Sequence, residues 1–181
     1  MIEPPQKESG INPPRLKSDI LIQSSPAGEG EAFVINSPGE YEIKGVNILG
    51  IADPSNSSGQ VNTIYNIEMD GVKIAHLGFL NDNLDNEKIS LLDDPDVVLV
   101  PVGGLKNEIL DAEGAMKIIN NLEPSIAIPM LYSIKGLNVK RAPLSVFLKE
   151  SEAKDSPQPK LTIKKKDLAE EETRIVILEK V

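Results

Sequence analysis

The chain has 181 residues, 40% hydrophobic and 26% charged, which is length for one packed domain and too apolar for disorder throughout. A formal net charge of -9 opposes binding to nucleic-acid backbones and to anionic membrane surfaces. The lack of cysteine rules out disulfide scaffolds, thiolate metal sites and a cysteine nucleophile, and the single histidine, His76, excludes any site needing two imidazoles.

In chain order, residues 1–18 hold Pro4, Pro5, Pro13 and Pro14 and read as an extended N-terminal arm; residues 19–181 read as the domain. The start lacks the basic, apolar and small-residue segments of an export signal, and no apolar run approaches the roughly 20 residues that span a bilayer, so a cytoplasmic protein is expected. Asp19 to Gln23 predicts a strand that stops at the loop Ser24-Ser25-Pro26-Ala27-Gly28-Glu29-Gly30. A second strand is expected over Ala32 to Asn36 and, after the Pro38-Gly39 turn, a third from Tyr41 to about Ile51. Val61 to Glu68 and Val72 to Leu77 flank Met69-Asp70-Gly71, a hairpin signal that places Val72, Ile74 and His76 on one face.

Asn81 to Leu92 has weak helical spacing and ends at Asp93-Asp94-Pro95. Val97 to Val102 and Ser125 to Met130 read as buried strands on either side of a helix capped by Asp111, with Ala112, Ala115, Met116, Ile119 and Leu122 as its apolar stripe. That strand-helix-strand unit implies a mixed sheet. Pro143 starts a last short helix carrying Leu144, Phe147 and Leu148, followed by a polar linker and by strands at Leu161 to Lys165 and Arg174 to Leu178.

The segments Phe33 to Glu42, Asn62-Thr63-Ile64-Tyr65, His76-Leu77-Gly78, Pro101-Val102-Gly103-Gly104, Asp111-Ala112-Glu113 and Pro129-Met130-Leu131-Tyr132 occur in an order that resembles the small, lactonase-like branch of the metallo-β-lactamase-fold hydrolases. The resemblance implies an α+β fold, an αββα sandwich of mixed sheets flanked by helices, with a dinuclear metal site, usually zinc. Matched position by position, the ligands are missing: the His-x-His-x-Asp-His motif falls on Ser24 to Gly30, Phe79 stands for the bridging aspartate, Leu131 for a histidine, and the loop Asp53 to Gln60 has no histidine. His76 matches a residue that supports the site. Relative to the family, about the first two strands are absent, which predicts a sheet edge covered by the arm, by a second copy of the chain or by a protein partner.

Several readings of the remaining residues compete. Ser24 or Ser25 with His76 as base and Asp53 or Asp111 as orienting acid has the residue types of an acyl-transfer site, but no Gly-x-Ser-x-Gly elbow, and a plain serine-rich loop is the simpler reading. Glu29, Glu31, Asp53, Asp82 and Asp85 are the types for a hard-ion carboxylate site, although Asn81 to Asp85 lacks the glycine and terminal glutamate of a calcium loop. Gly103-Gly104 reads as a tight turn, and Lys164-Lys165-Lys166 as edge protection. Apolar Phe79 and Leu131 predict a former metal pocket packed shut. The sequence therefore points to a non-catalytic, metal-free interaction or structural module without a cofactor, whose remnant pocket is Ser24, Ser25, Asp53, His76, Phe79, Asp111 and Leu131. The alternatives are a metal-dependent hydrolase with a rebuilt carboxylate site and a small-metabolite-binding protein using the vacated pocket.

Overall fold

A computed structural model describes residues 1–12, 17–24, 33–54, 61–105, 108–154, 156–168 and 172–179. The strands are β1 (Ile20–Ile22), β2 (Phe33–Ile35), β3 (Gly39–Ile43), β4 (Val46–Asp53), β5 (Asn62–Met69), β6 (Val72–His76), β7 (Val97–Pro101), β8 (Ile126–Met130) and β9 (Arg174–Ile175). The α-helices are α1 (Asn86–Leu92), α2 (Ala112–Leu122) and α3 (Leu144–Glu150).

Among the described residues, β3 to β9 form one seven-stranded sheet in chain order. It is antiparallel from β3 to β6 and parallel from β6 to β9. Two tight turns build the antiparallel half. Asp70 and Gly71 both have positive φ (52° and 75°) and join β5 to β6, as the Asp-Gly signal predicts. Lys44 and Gly45 (53° and 79°) do the same between β3 and β4, so the single strand expected from Tyr41 to Ile51 is a hairpin. Lysine at the first turn position carries little of the Asn/Asp/Gly signal that marks such turns.

The helix side of the large sheet holds the main core. In α2, Ala112, Ala115, Ile118, Ile119 and Leu122 are buried against Val98, Val100 and Ala127, and Phe147 of α3 joins them at 0% exposure. Each large aliphatic side chain buried in this way stabilises the fold by about 1.5–3 kcal/mol. Asp111 caps α2, its Oδ1 accepting the Gly114 N–H at 2.9 Å. Asp85 caps α1 through the Lys88 N–H at 2.8 Å, which starts that helix at Asn86, five residues later than the spacing from Asn81 suggests.

The other side is covered in two places. Parallel strands β1 and β2 pack Ile22 and Ile35 onto Ile48, Tyr65 and Ile67. Leu161, Ile163 and Leu168 pack onto the cluster of Val72, Val97, Ile126 and Val176. The segment from Leu161 is not the expected strand: its alternate apolar residues face the sheet, β9 pairs beside β8 instead, and residues 165–167 form a 3-10 turn. Lys165 in this turn bonds Asp96 at 2.7 and 2.8 Å.

The proline-rich start is docked. Ile2 bridges Ile22 in parallel, with Glu3 N donating to Ile22 O and Ile22 N to Met1 O, both at 2.9 Å, and Asn138 N donates to Ser9 O at 2.7 Å. Residues 1–3 thus lie along the free edge of β1. No helix among the described residues is long and apolar enough to cross a membrane.

Candidate functional site

The end of β1 meets the end of β6 at Ser24 and His76, both 0% exposed. Their positions follow from a chain of backbone bonds. Gln23 N donates to Ile35 O at 2.9 Å and Thr63 N to Ser24 O at 3.0 Å, while the Tyr65 hydroxyl donates to Gln23 O at 2.8 Å. His76 stands opposite Tyr65 across the β5–β6 pair, and the two rings stack with centroids 6.3 Å apart.

Ser24 Oγ lies 3.1 Å from His76 Nε2. The same nitrogen lies 3.3 Å from Oε2 of Glu3, and the Ser24 N–H donates to both Glu3 carboxylate oxygens at 3.2 and 3.0 Å. A carboxylate only accepts, so Nε2 carries the proton and donates. Nδ1 of His76 is buried and has no hydrogen-bond partner among the described residues. This is not a hydrolytic triad: there the serine and the acid use opposite nitrogens of the imidazole, whereas here both crowd one.

Of the other predicted residues, Asp53 ends β4 on the helix side, 2% exposed, with Asn62 Nδ2 3.4 Å from its Oδ2. Asn62 also donates to Leu77 O at 3.2 Å and accepts from Phe79 N at 2.9 Å, tying the turn after β6 to β4 and β5. Asp111 is exposed and occupied with capping α2, so it does not orient His76. Ser25 lies outside the described residues. Phe79 and Leu131 are half-buried and belong to none of the hydrophobic clusters, so they have not turned the pocket into core. What fills the junction is Ser24, Asn62 and Gly78. A Cβ on Gly78, at φ +56°, would stand 2.2 Å from Ser24 Oγ and 2.5 Å from Asn62 Oδ1.

A metal ion does not fit among these atoms. One imidazole and one carboxylate already bond each other, the space beside Gly78 is closed, and among the described residues no three His, Asp or Glu side chains are grouped so that they could hold a metal ion. Asp85 serves α1 and pairs with Lys88, and Asp82 accepts from Asn83 N. Glu29 and Glu31 lie outside the described residues.

Sequence reasoning missed Glu3, placed in an arm, and gave Tyr65 and Asn62 no role. Tyr65 was findable. A two-residue Asp70-Gly71 turn pairs Met69 with Val72 and, counting back, Tyr65 with His76.

A family model described as the beta-lactamase superfamily domain matches residues 2–131. The chain belongs to that superfamily. A solved structure from Thermotoga maritima, assigned to the Zn-dependent hydrolases of the metallo-β-lactamase superfamily, aligns with TM-score 0.76 and 26% identity over 98% of this chain and 87% of that one. The metallo hydrolase Igni18 of Ignicoccus hospitalis aligns with TM-score 0.55 and 22% identity over 89% and 77%, a likeness of fold alone.

Among curated superfamily relatives, a UPF0173 metal-dependent hydrolase of Thermoplasma acidophilum is 33% identical over 108 residues, 57% of this chain and 47% of the relative. Another, from Thermococcus onnurineus, is 30% identical over 122 residues, 64% and 52%. The chain spans about half the length of these relatives. Their names overturn two expectations: that of a non-catalytic, metal-free module and that of no cofactor. Missing ligands at matched positions describe those positions only, and the relatives make a metal the expected cofactor.

Proposed function

We propose that this chain acts as a metal-dependent hydrolase of the metallo-β-lactamase superfamily. The observation that carries this reading is its 30–37% identity to curated metal-dependent hydrolases, on a fold that matches a superfamily hydrolase structure over 98% of the chain. The described residues do not gather a ligand set. Glu29 and Glu31, which follow Ser24 in sequence, are the carboxylates proposed. A cytoplasmic setting is part of the same proposal, with which the lack of cysteine is compatible.

The experiment is elemental analysis of the folded protein after incubation with zinc, manganese and iron and removal of free metal, paired with thermal unfolding before and after chelation. Retained stoichiometric metal, a midpoint that falls on chelation and loss of both in the double variant Glu29→Gln, Glu31→Gln are expected. Folded protein that retains no metal rejects the reading.

A further inference from the structure

We infer that the end of β1 and the imidazole of His76 form a carboxylate-binding niche, filled in this structure by the chain's own Glu3. Two donors converge on the Glu3 carboxylate: the Ser24 N–H, at 3.2 and 3.0 Å from its two oxygens, and His76 Nε2, at 3.3 Å from Oε2. A backbone N–H and an imidazole N–H aimed at one point suit a planar anion with two acceptor oxygens.

Both donors are held independently of Glu3. Ser24 is fixed by Thr63 N on its carbonyl, and Gln23 before it by Ile35 O and the Tyr65 hydroxyl. The His76 ring is fixed by the stacked Tyr65 and by Ser24 Oγ. Preorganised donors of this kind cost little to use, because they need not be ordered when an anion arrives. The occupant belongs to a three-residue edge segment: residues 1–3 attach to β1 through the Ile22 and Glu3 amides and the Met1 amine, Ile2 packs on the cluster of Ile22 and Ile35, and the Glu3 side chain keeps 13% exposure. Displacing that segment leaves a buried, two-donor site that takes a carboxylate from another molecule. The niche does not depend on the hydrolase reading, and metal analysis does not bear on it.

The test uses acetate as probe, with acetamide as its neutral counterpart and chloride to match ionic strength, on the ¹⁵N-labelled chain. In Glu3→Ala, acetate is expected to shift the Ser24 amide and the ring nitrogens of His76 saturably, with acetamide and chloride leaving them in place. Because His76 is the only histidine, its ring signals need no deconvolution. A folded Glu3→Ala protein whose two signals ignore acetate, or answer acetamide equally, overturns the niche. The unmodified chain supplies the second measurement, independent of whether the variant folds. Acetate competing with Glu3 is expected to speed hydrogen exchange of the Glu3 and Ile22 amides by a factor of one plus the ratio of acetate concentration to its Kd. Equal exchange in acetate and acetamide overturns the proposal there too.

Discussion

Tyr65 stacks parallel to His76, the ring planes 8° and the centroids 6.3 Å apart, while its hydroxyl donates to the Gln23 carbonyl at 2.8 Å. One side chain thus joins β5, β6 and the end of β1, and it does so with no exposed surface.

Removing only the hydroxyl separates its two effects. Tyr65→Phe keeps the stack and leaves the Gln23 carbonyl short of a donor, a loss of about 1–3 kcal/mol that urea unfolding at neutral pH will read. Burial also pushes the Tyr65 phenol well above its ordinary 10.0. In the unfolded chain that phenol ionises at lower pH than in the folded one, so its contribution is complete below pH 10 and is lost as pH rises beyond it. The urea midpoint is expected to fall above that pH, and Tyr65→Phe to flatten the fall; an unchanged alkaline slope in the variant contradicts the assignment.

His76 is predicted to rest in the tautomer protonated at Nε2. Side-chain nitrogen spectra of the labelled protein distinguish the two ring nitrogens directly. A proton found on Nδ1 and none on Nε2 means that Nε2 accepts from Ser24 and that its contact with Glu3 is not a hydrogen bond.

Gly78→Ala places a methyl group against Ser24 Oγ and Asn62 Oδ1 at a left-handed backbone position. Overpacking of this kind costs about 1–3 kcal/mol, with the positive φ adding to it. Calorimetry is expected to show a lowered midpoint accompanied by changed Ser24 and His76 resonances. A variant as stable as the parent shows that the turn yields without disturbing its neighbours.

Asp111→Ala is expected to cost about 1 kcal/mol through loss of the α2 cap and to leave the His76 signals in place. Movement of those signals in this variant returns Asp111 to the site.

The local features were legible in the sequence. The Asp70-Gly71 hairpin, the strand-helix-strand unit around α2 and the Asp111 cap depend on residues near one another, and each stands where the pattern puts it. The Lys44-Gly45 turn was not legible, because nothing at Lys44 announces a positive φ. The site was legible in part. Ser24 and His76 meet as one reading allowed, but Glu3, 73 residues from His76, is brought in by tertiary packing that no spacing reports. The expectation of lost chemistry failed for another reason: absent ligands at known positions carry no information about donors placed elsewhere.

The seam in the large sheet has a consequence for how the chain folds. Strands β3 to β6 pair antiparallel with their sequence neighbours, β3 to β4 and β5 to β6 through two-residue turns, whereas β7, β8 and β9 each need a crossover before they can pair, and local pairings close faster than distant ones. His76, on the last strand of the local half, is therefore set beside Tyr65 early, while β7 adds later on the far side of β6. Substitutions in the Asp70-Gly71 turn act on the rate at which the protein folds, and those in the β7–β9 half on the rate at which it comes apart.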